Sequence, residues 1–431
     1  MKYLFLQQSI FDRPGFSRVN LWAWYIFVLL LPFSVAWPLG QPFIAGVFPL
    51  YVTPLLLLTD LGVITVILSS MLVWHRHSYP ASDRFLPALL SLVVLALITL
   101  PFAVVPGLAV YTSIRWALAV LTYVLFVRHR IVYERVIWVL LIGMSLHTLV
   151  GIGQWLLGGP IGLPGEFAVS PNHPAAPLIT TSSGAVSFRA SGLTFNPNVL
   201  GGFLAVTILL SLPLLRYSTG RLIWWFLWIG VALSFSRSTW LTLLFTFPSA
   251  TIWIIRQYPV LRRPIVHAVF GLGGILLICG VVLVEPLTVR MQPLESAVER
   301  GSLVGRTELV QVAIGSIAAR PITGVGAGNF PAAVILTGTR VPPDHAHNVP
   351  LQMAAEIGVL GGGIWLWIWL STGTRLWQYR HRATPWAIAS GHAWFAIGII
   401  SLFDGYFWAL DAGRLLTILT LALLTQTLEQ Q

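Results

Sequence analysis

Lysine is all but missing from this chain, cysteine nearly so, and charge of either sign is scarce. Lys2 is the lone lysine among 25 basic residues, and Cys279 is the lone cysteine in 431 residues. One cysteine excludes an intrachain disulfide, a cysteine zinc cluster and a thioredoxin-like pair. Charged residues make up 9% of the sequence against 56% hydrophobic, with a mean hydropathy of +0.82. A water-soluble domain needs far more charge, so this is the composition of an integral membrane protein. The net charge of +11 rests almost wholly on arginine. That balance raises nucleic acid as a partner, and its distribution along the chain argues against one.

Twelve stretches are apolar enough to read as membrane helices of ~20 residues. They run approximately 20–37, 52–74, 85–105, 108–127, 136–157, 197–215, 222–236, 238–255, 265–285, 352–373, 386–403 and 407–425. The implied fold class is an all-α integral membrane protein with about twelve transmembrane helices, a single polytopic domain over 1–431. With the amino terminus inside, every predicted inner connection is basic: Lys2, Arg13 and Arg18; Arg76 and Arg84; Arg128, Arg130 and Arg135; Arg216 and Arg221; Arg256, Arg262 and Arg263; Arg375, Arg380 and Arg382. The positive-inside rule accounts for that pattern without a polyanion. The start, "MKYLFLQQSIFDRPGFSRVN", carries charge and a Pro-Gly turn where a cleavable signal needs an unbroken apolar run, so the first spanning helix is expected to be the anchor.

Two predicted outer segments are much longer than the other connections, 158–196 and 286–351, and long loops commonly carry function. The first is rich in Gly, Pro and Ser and reads as irregular coil. In the second, "LESAVERGSLVGRTELVQVAIGSIAARP" spaces apolar residues at helical intervals, which predicts amphipathic helices near the interface.

Removing the inner-loop arginines leaves Arg115, Arg189, Arg237, Arg290, Arg300, Arg306, Arg320, Arg340 and Arg414 to be explained. Arg237, in "SFSRSTWL", stands where two apolar segments meet. It either snorkels or caps a helix end, or it binds an anion. Arg306, in "LVGRTELV", is placed to begin a helix after Gly305, and taken alone reads as an ordinary loop arginine. "FRASGLTFNPNVLGG" sets Arg189 beside Asn196 and Asn198, with Asn198 the expected helix cap. "RPITGVGAGNFP" is a Gly-rich turn able to offer backbone amides to an anion. In "PPDHAHNVPLQMAAEIG", Asn348 can cap a helix whose first turn holds Val349 and Pro350, which puts His347 at the positive end of the helix dipole. A neutral ring is favoured there and can accept a proton, with Asp344 opposing that effect or orienting the ring. His345, His347 and Asp344 are too few for a metal site.

At these positions the chain resembles the O-antigen ligase and O-antigen polymerase superfamily of bacterial membrane glycosyltransferases. The most specific match is His347, Asn348, nine residues "VPLQMAAEI", then Gly358 and Gly361 as Gly-x-x-Gly. "SRS" around Arg237, "GRTELVQVAIGSIAARPITGVGAGNF" around Arg306 and "FRASGLTFNPNVLG" around Arg189 agree in order and spacing. The resemblance implies a GT-C-like frame with two long extracytoplasmic loops and short interfacial helices, and a ligase/polymerase core over 222–373. It implies a transferase in the bacterial cytoplasmic membrane, facing outward. A polyprenyl diphosphate-linked glycan is the donor, a lipid or glycan hydroxyl the acceptor, and membrane lipids the surroundings.

His347 is then the catalytic residue and Arg237 and Arg306 bind substrate. Arg189 is expected to assist placement, and Asp344, Asn348, Asn198 and Asp404 to support the site. Guanidinium groups can meet the charge that develops on a leaving diphosphate, so no metal or other cofactor is expected. A repeat-unit polymerase shares these motifs. A lipid-linked sugar transporter is the rival from another class, suggested by Asp60, Arg115, Asp411 and Arg414 within or near spans.

Overall fold

A computed structural model of the chain describes residues 18–44, 49–72, 83–129, 131–166, 177–181, 184, 186–292, 297–339 and 341–429. Lys2, Arg13, Arg76, Arg130 and Arg340, with the stretch 167–176, lie outside the described residues.

The chain opens with α1 (Arg18–Leu30), β1 (Ala36–Pro38), α2 (Pro49–Val52), β2 (Leu55–Leu57), α3 (Leu58–Leu72) and α4 (Phe85–Ile98). Next come α5 (Pro106–His129), α6 (Tyr133–Leu157), β3 (Leu178–Thr180), β4 (Val186–Phe188), α7 (Pro197–Leu210) and α8 (Ser218–Ser234). The remainder is helical: α9 (Arg237–Gln257), α10 (Pro259–Val282), α11 (Val284–Met291), α12 (Ala297–Ala319), α13 (Phe330–Leu336), α14 (Val349–Gln378), α15 (Pro385–Ser401), α16 (Tyr406–Ala409) and α17 (Asp411–Glu429).

Among the described residues, five helices are long and apolar enough to cross a membrane: α5, α6, α9, α10 and α14. They make the chain a multi-pass membrane protein, and they correct the expectation of about twelve spans. Apolar stretches do not all become long helices. The first two give residues to the antiparallel β1–β2 pair, where Trp37 faces Leu56. Pro101 and Pro213 sit in the 3₁₀ turns Leu100–Phe102 and Leu212–Arg216 that end the runs of α4 and α7. Each of these helices has 14 residues, about 21 Å at 1.5 Å per residue against a hydrocarbon core of about 30 Å.

The expectation of two long outer loops with short interfacial helices is corrected as well. The first segment contains the antiparallel β3–β4 pair, so the architecture is not purely α. The second contains α11, the 23-residue α12 and α13, and among the described residues no interfacial helix is found.

One core cluster runs through most of the molecule, with Trp24, Trp224, Phe203 and Trp394 fully buried. Within it α7 and α15 pack together, α15 packs on α9 and α17, and α5 packs on α17. A smaller cluster joins α12, α13 and the start of α14 through Leu309, Val312, Phe330, Val334 and Ala355. Helix α14 breaks at Ile357 and Gly358, where φ and ψ leave the helical region. The freed carbonyls of Ala355 and Glu356 accept from Val325 N–H (2.9 Å) and Gly326 N–H (2.8 Å), while Val359 N–H donates to the Pro321 carbonyl (2.8 Å). Interrupted backbone in a membrane helix persists only when protein groups satisfy it in this way.

Candidate active site

Asn348 caps α14 as its sequence suggests: its backbone is extended, Oδ1 accepts from Leu351 N–H at 2.9 Å, and Pro350 lies in the first turn. The residue before it, His347, has φ 51°, in the left-handed region that a side chain disfavours. The imidazole meets the turn after α15: Nδ1 is 3.1 Å from Asp404 Oδ1, and Nε2 is 3.8 Å from Asp344 Oδ2. A carboxylate can only accept, so Asp404 takes the Nδ1–H and leaves the Nε2 lone pair to receive a proton. Asp344 at 3.8 Å is beyond hydrogen-bond reach of Nε2; its Oδ1 accepts from the His345 amide at 2.7 Å.

The same turn collects a guanidinium. Arg306 Nη1 donates to the Phe403 carbonyl at 3.2 Å, and Nη2 lies 3.9 Å from Asp404 Oδ1. Asn348 Nδ2 donates to the Leu402 carbonyl at 3.3 Å. Burial of Asp404 acts to raise its pKa. The His347 hydrogen bond and the charges of Arg306 and Arg189 outweigh it and hold the carboxyl below the ordinary range. Arg306 lies inside α12, several residues past its start, and does not begin the helix as the sequence suggested.

Arg189 follows β4. Its Nη2 donates to Asn198 Oδ1 at 2.7 Å and its Nε to the Ser234 carbonyl at 3.2 Å. The expected cap is therefore two residues out of place: Asn196 caps α7, accepting from the amides of Asn198 and Val199, and the Asn198 side chain holds Arg189. Arg237 is the first residue of α9, half-buried, after a corner in which Phe235 has φ 49°. Two glycines that follow Asn198 let these parts approach. A Cβ on Gly201 would stand 2.6 Å from Thr239 Oγ1 in α9, and one on Gly202 would overlap the Tyr406 hydroxyl. Thus α7 is pressed between the start of α9 and the segment after Asp404.

Sequence reasoning set Arg290 aside with the unexplained arginines. It is buried on α11, and its Nε and Nη2 both donate to the Phe235 carbonyl, at 3.2 and 3.1 Å, two residues from Arg237. The carbonyls of Leu402, Phe403, Ser234 and Phe235 were also missed, because backbone acceptors leave no mark in a sequence. The anion that meets the Gly-rich turn is the protein's own Glu356 carboxylate. The amides of Val325 and Gly326 serve the α14 break, and that of Gly328 donates to Glu356 Oε2 at 2.9 Å. Asp60, Arg115, Asp411 and Arg414 lie outside the His347 cluster and pair with one another. Among the described residues, no group of three His, Cys, Asp or Glu is placed to hold a metal ion.

Residues 222–366 match the family model described as O-antigen ligase. That is about a third of the chain; it carries Arg237, Arg306 and His347 and leaves Arg189, Asn198 and Asp404 outside. The partial match supports membership of the chain in this ligase-like family, and with it a membrane enzyme of the ligase or polymerase kind. No curated protein matches the chain.

Proposed function

We propose that the protein is an inverting glycosyltransferase of the O-antigen ligase type. It moves a glycan from a polyprenyl diphosphate carrier to an acceptor hydroxyl at the outer face of the bacterial cytoplasmic membrane. One observation carries this reading: His347 and Arg306 meet on the buried Asp404 carboxylate, at 3.1 and 3.9 Å. A proton acceptor and a fixed cation side by side suit a reaction that takes a proton from an alcohol and releases an anion.

In this mechanism the acceptor oxygen attacks the anomeric carbon from the face opposite the diphosphate, and its proton passes to His347 Nε2. The bond from the anomeric carbon to the phosphate oxygen breaks, and its electron pair stays on the leaving diphosphate. Arg237 and Arg306 bind that group, and fixed guanidinium groups stabilise the charge as it develops. Arg189 places the donor or acceptor, and no metal is required. Asp404 keeps the imidazole in the tautomer that exposes Nε2, and Asn348 ties the His347 corner to the turn. General-base catalysis of this kind contributes ~10²- to 10⁴-fold in rate.

The direct test incubates purified, reconstituted protein with carrier-linked glycan and an acceptor, with and without a chelator. Covalent transfer that survives chelation is the expected result. Movement of the lipid-linked glycan across liposomes without transfer would replace this reading with transport. Glycan analysis of a deletion strain separates the subtypes: long unattached chains indicate a ligase, and single repeats a polymerase.

A further inference from the structure

Five arginines at the far ends of the spanning helices take no part in the transfer mechanism. Helix α9 begins at Arg237 and α14 follows the His347 corner, and both run away from that end to two turns, one at Tyr258 and one at 379–384. The turns are tied together. Trp253 Nε1 donates to the Arg380 carbonyl at 3.3 Å, Gln257 Nε2 to the His381 carbonyl at 2.9 Å, and the Tyr258 hydroxyl to the Ala383 carbonyl at 2.8 Å. Arg256, Arg262 and Arg263, flanking the first turn, are thereby gathered beside Arg380 and Arg382 of the second. The positive-inside rule asks only that charge lie on one side. It gives no reason to join two loops 124 residues apart in the chain.

No acid offsets these groups. Residues 238–284 and 357–403, which hold nearly all of α9 and α10, α14 beyond its break and all of α15, contain no Asp or Glu. Among the described residues none of the five arginines has a carboxylate partner, and Arg256, Arg262, Arg263 and Arg382 are exposed. The carboxylates that do lie toward this end are engaged elsewhere. Glu134 pairs with Arg216 at 2.6 Å, and Asp83 accepts from the Phe85 amide and the Tyr123 hydroxyl, both at 2.8 Å.

An open apolar track leads away from the charge. On α10, Arg263, His267, Phe270, Gly274, Leu277 and Val281 recur at alternating intervals of four and three residues, which sets them on one helix face. All six are exposed, Phe270 by 78% and Leu277 by 70%, and a Cβ on Gly274 would meet nothing within 4 Å. From Arg263 to Val281 the track runs about 27 Å at 1.5 Å per residue, nearly the ~30 Å of a whole hydrocarbon core. Of the five spanning helices α10 is the least buried. Trp377 is exposed, with the Arg380 guanidinium 4.7 Å from its ring centroid, as suits a tryptophan at headgroup level. The surface therefore matches an anion carried on a long apolar chain.

We propose that the joined turns bind an anionic phospholipid of the leaflet opposite the His347 corner, with its phosphodiester on the arginines and an acyl chain along the α10 track. The assignment does not depend on the transfer chemistry. A zwitterionic lipid brings its own cation to the same arginines and is disfavoured.

Native mass spectrometry of the full chain in detergent, titrated with dioleoyl phosphatidylglycerol or dioleoyl phosphatidylcholine, counts bound lipids directly. The wild type is expected to bind the phosphatidylglycerol at least ~10-fold more tightly. Arg263→Gln and Arg382→Gln, on different turns, should each weaken that binding ~5-fold, the usual effect of one basic side chain at an anionic headgroup, and leave phosphatidylcholine binding level. Both side chains are exposed, and melting temperatures check that the variants fold. Arg18→Gln, an exposed arginine that opens α1, should change nothing. Glycerol phosphate, which has the anion without the chains, should not displace the lipid. Equal affinity for the two lipids, or unchanged binding in both turn variants, overturns the proposal. So does an equal loss in Arg18→Gln, which means a diffuse field, or displacement by glycerol phosphate, which means a site for free phosphate.

Discussion

Replacing Asp404 by asparagine removes one negative charge and almost no volume, at the point where base and guanidinium meet. Asp404 Oδ1 is 3.1 Å from His347 Nδ1 and 3.9 Å from Arg306 Nη2. An asparagine cannot serve both. With its carbonyl toward His347 the acceptor is neutral and the charge that balanced Arg306 is gone. With its amide toward His347, donor meets donor, and the tautomer that exposes Nε2 is lost. A hydrogen bond to a charged group contributes ~1.5–3 kcal/mol, and at 1.36 kcal/mol per decade its loss slows kcat ~10- to 100-fold. His347→Ala sets the limit, because it removes the base that Asp404 positions.

Initial transfer rates of the purified, reconstituted variants measure this, with melting temperatures as the control for folding. Because Asp404 acts largely through the imidazole, Asp404→Asn in a His347→Ala background should add little to the loss. A correctly folded Asp404→Asn variant with wild-type kcat, or a loss that multiplies fully in the double variant, would refute the reasoning.

Arg237→Ala and Arg306→Ala should each lower kcat/KM for the carrier-linked donor ~10- to 100-fold, the effect of one charge-assisted contact to phosphate; steady-state kinetics with lysine variants for comparison checks this. Gly358→Ala should cost ~2 kcal/mol or more, since φ is 81° and a Cβ would overlap the Ile322 carbonyl. Gly363→Ala, whose Cβ meets nothing within 4 Å, should leave the melting temperature level or raise it. Burial pushes His345 down to about 4 from 6.5. The folded state then binds that proton less readily than the unfolded chain, so the contribution to stability is complete above pH ~6.5 and is lost as pH falls toward 4. The expected loss is about 2 kcal/mol by pH 5, read as a fall in melting temperature that His345→Gln flattens.

Some of this was legible in the sequence. Asn348 as a cap, the helix around Arg306 and the membrane character all follow from local rules of composition and spacing. The span count did not follow, because hydropathy sums apolar residues without knowing which of them form strands such as Ala36–Pro38 or where Pro101 and Pro213 end a helix. The meeting of Arg306 and His347 on Asp404 depends on a turn 57 residues beyond the histidine, and nothing local marks it. The cap fell to Asn196 and not to Asn198 for a related reason. Either can cap α7, and the choice is made by Arg189, which needs Asn198.

The motif spacing itself acquires a mechanical reading. Asn348 caps α14 at one end, and after nine intervening residues Gly358 breaks it where backbone from 321–326 closes on the freed groups. That backbone directly follows α12, the helix of Arg306, so the break fixes α12 to α14 while the cap fixes His347 to the Asp404 turn. The nine residues set the register between the two anchors. One alanine inserted between Met353 and Ala354 rotates one anchor by about 100° and moves it by about 1.5 Å relative to the other. Either the clamp or the His347–Asp404 contact must then fail, with loss of transfer, melting temperature or both. An insertion that left rate and stability unchanged would show that the spacing between cap and break carries no mechanical role.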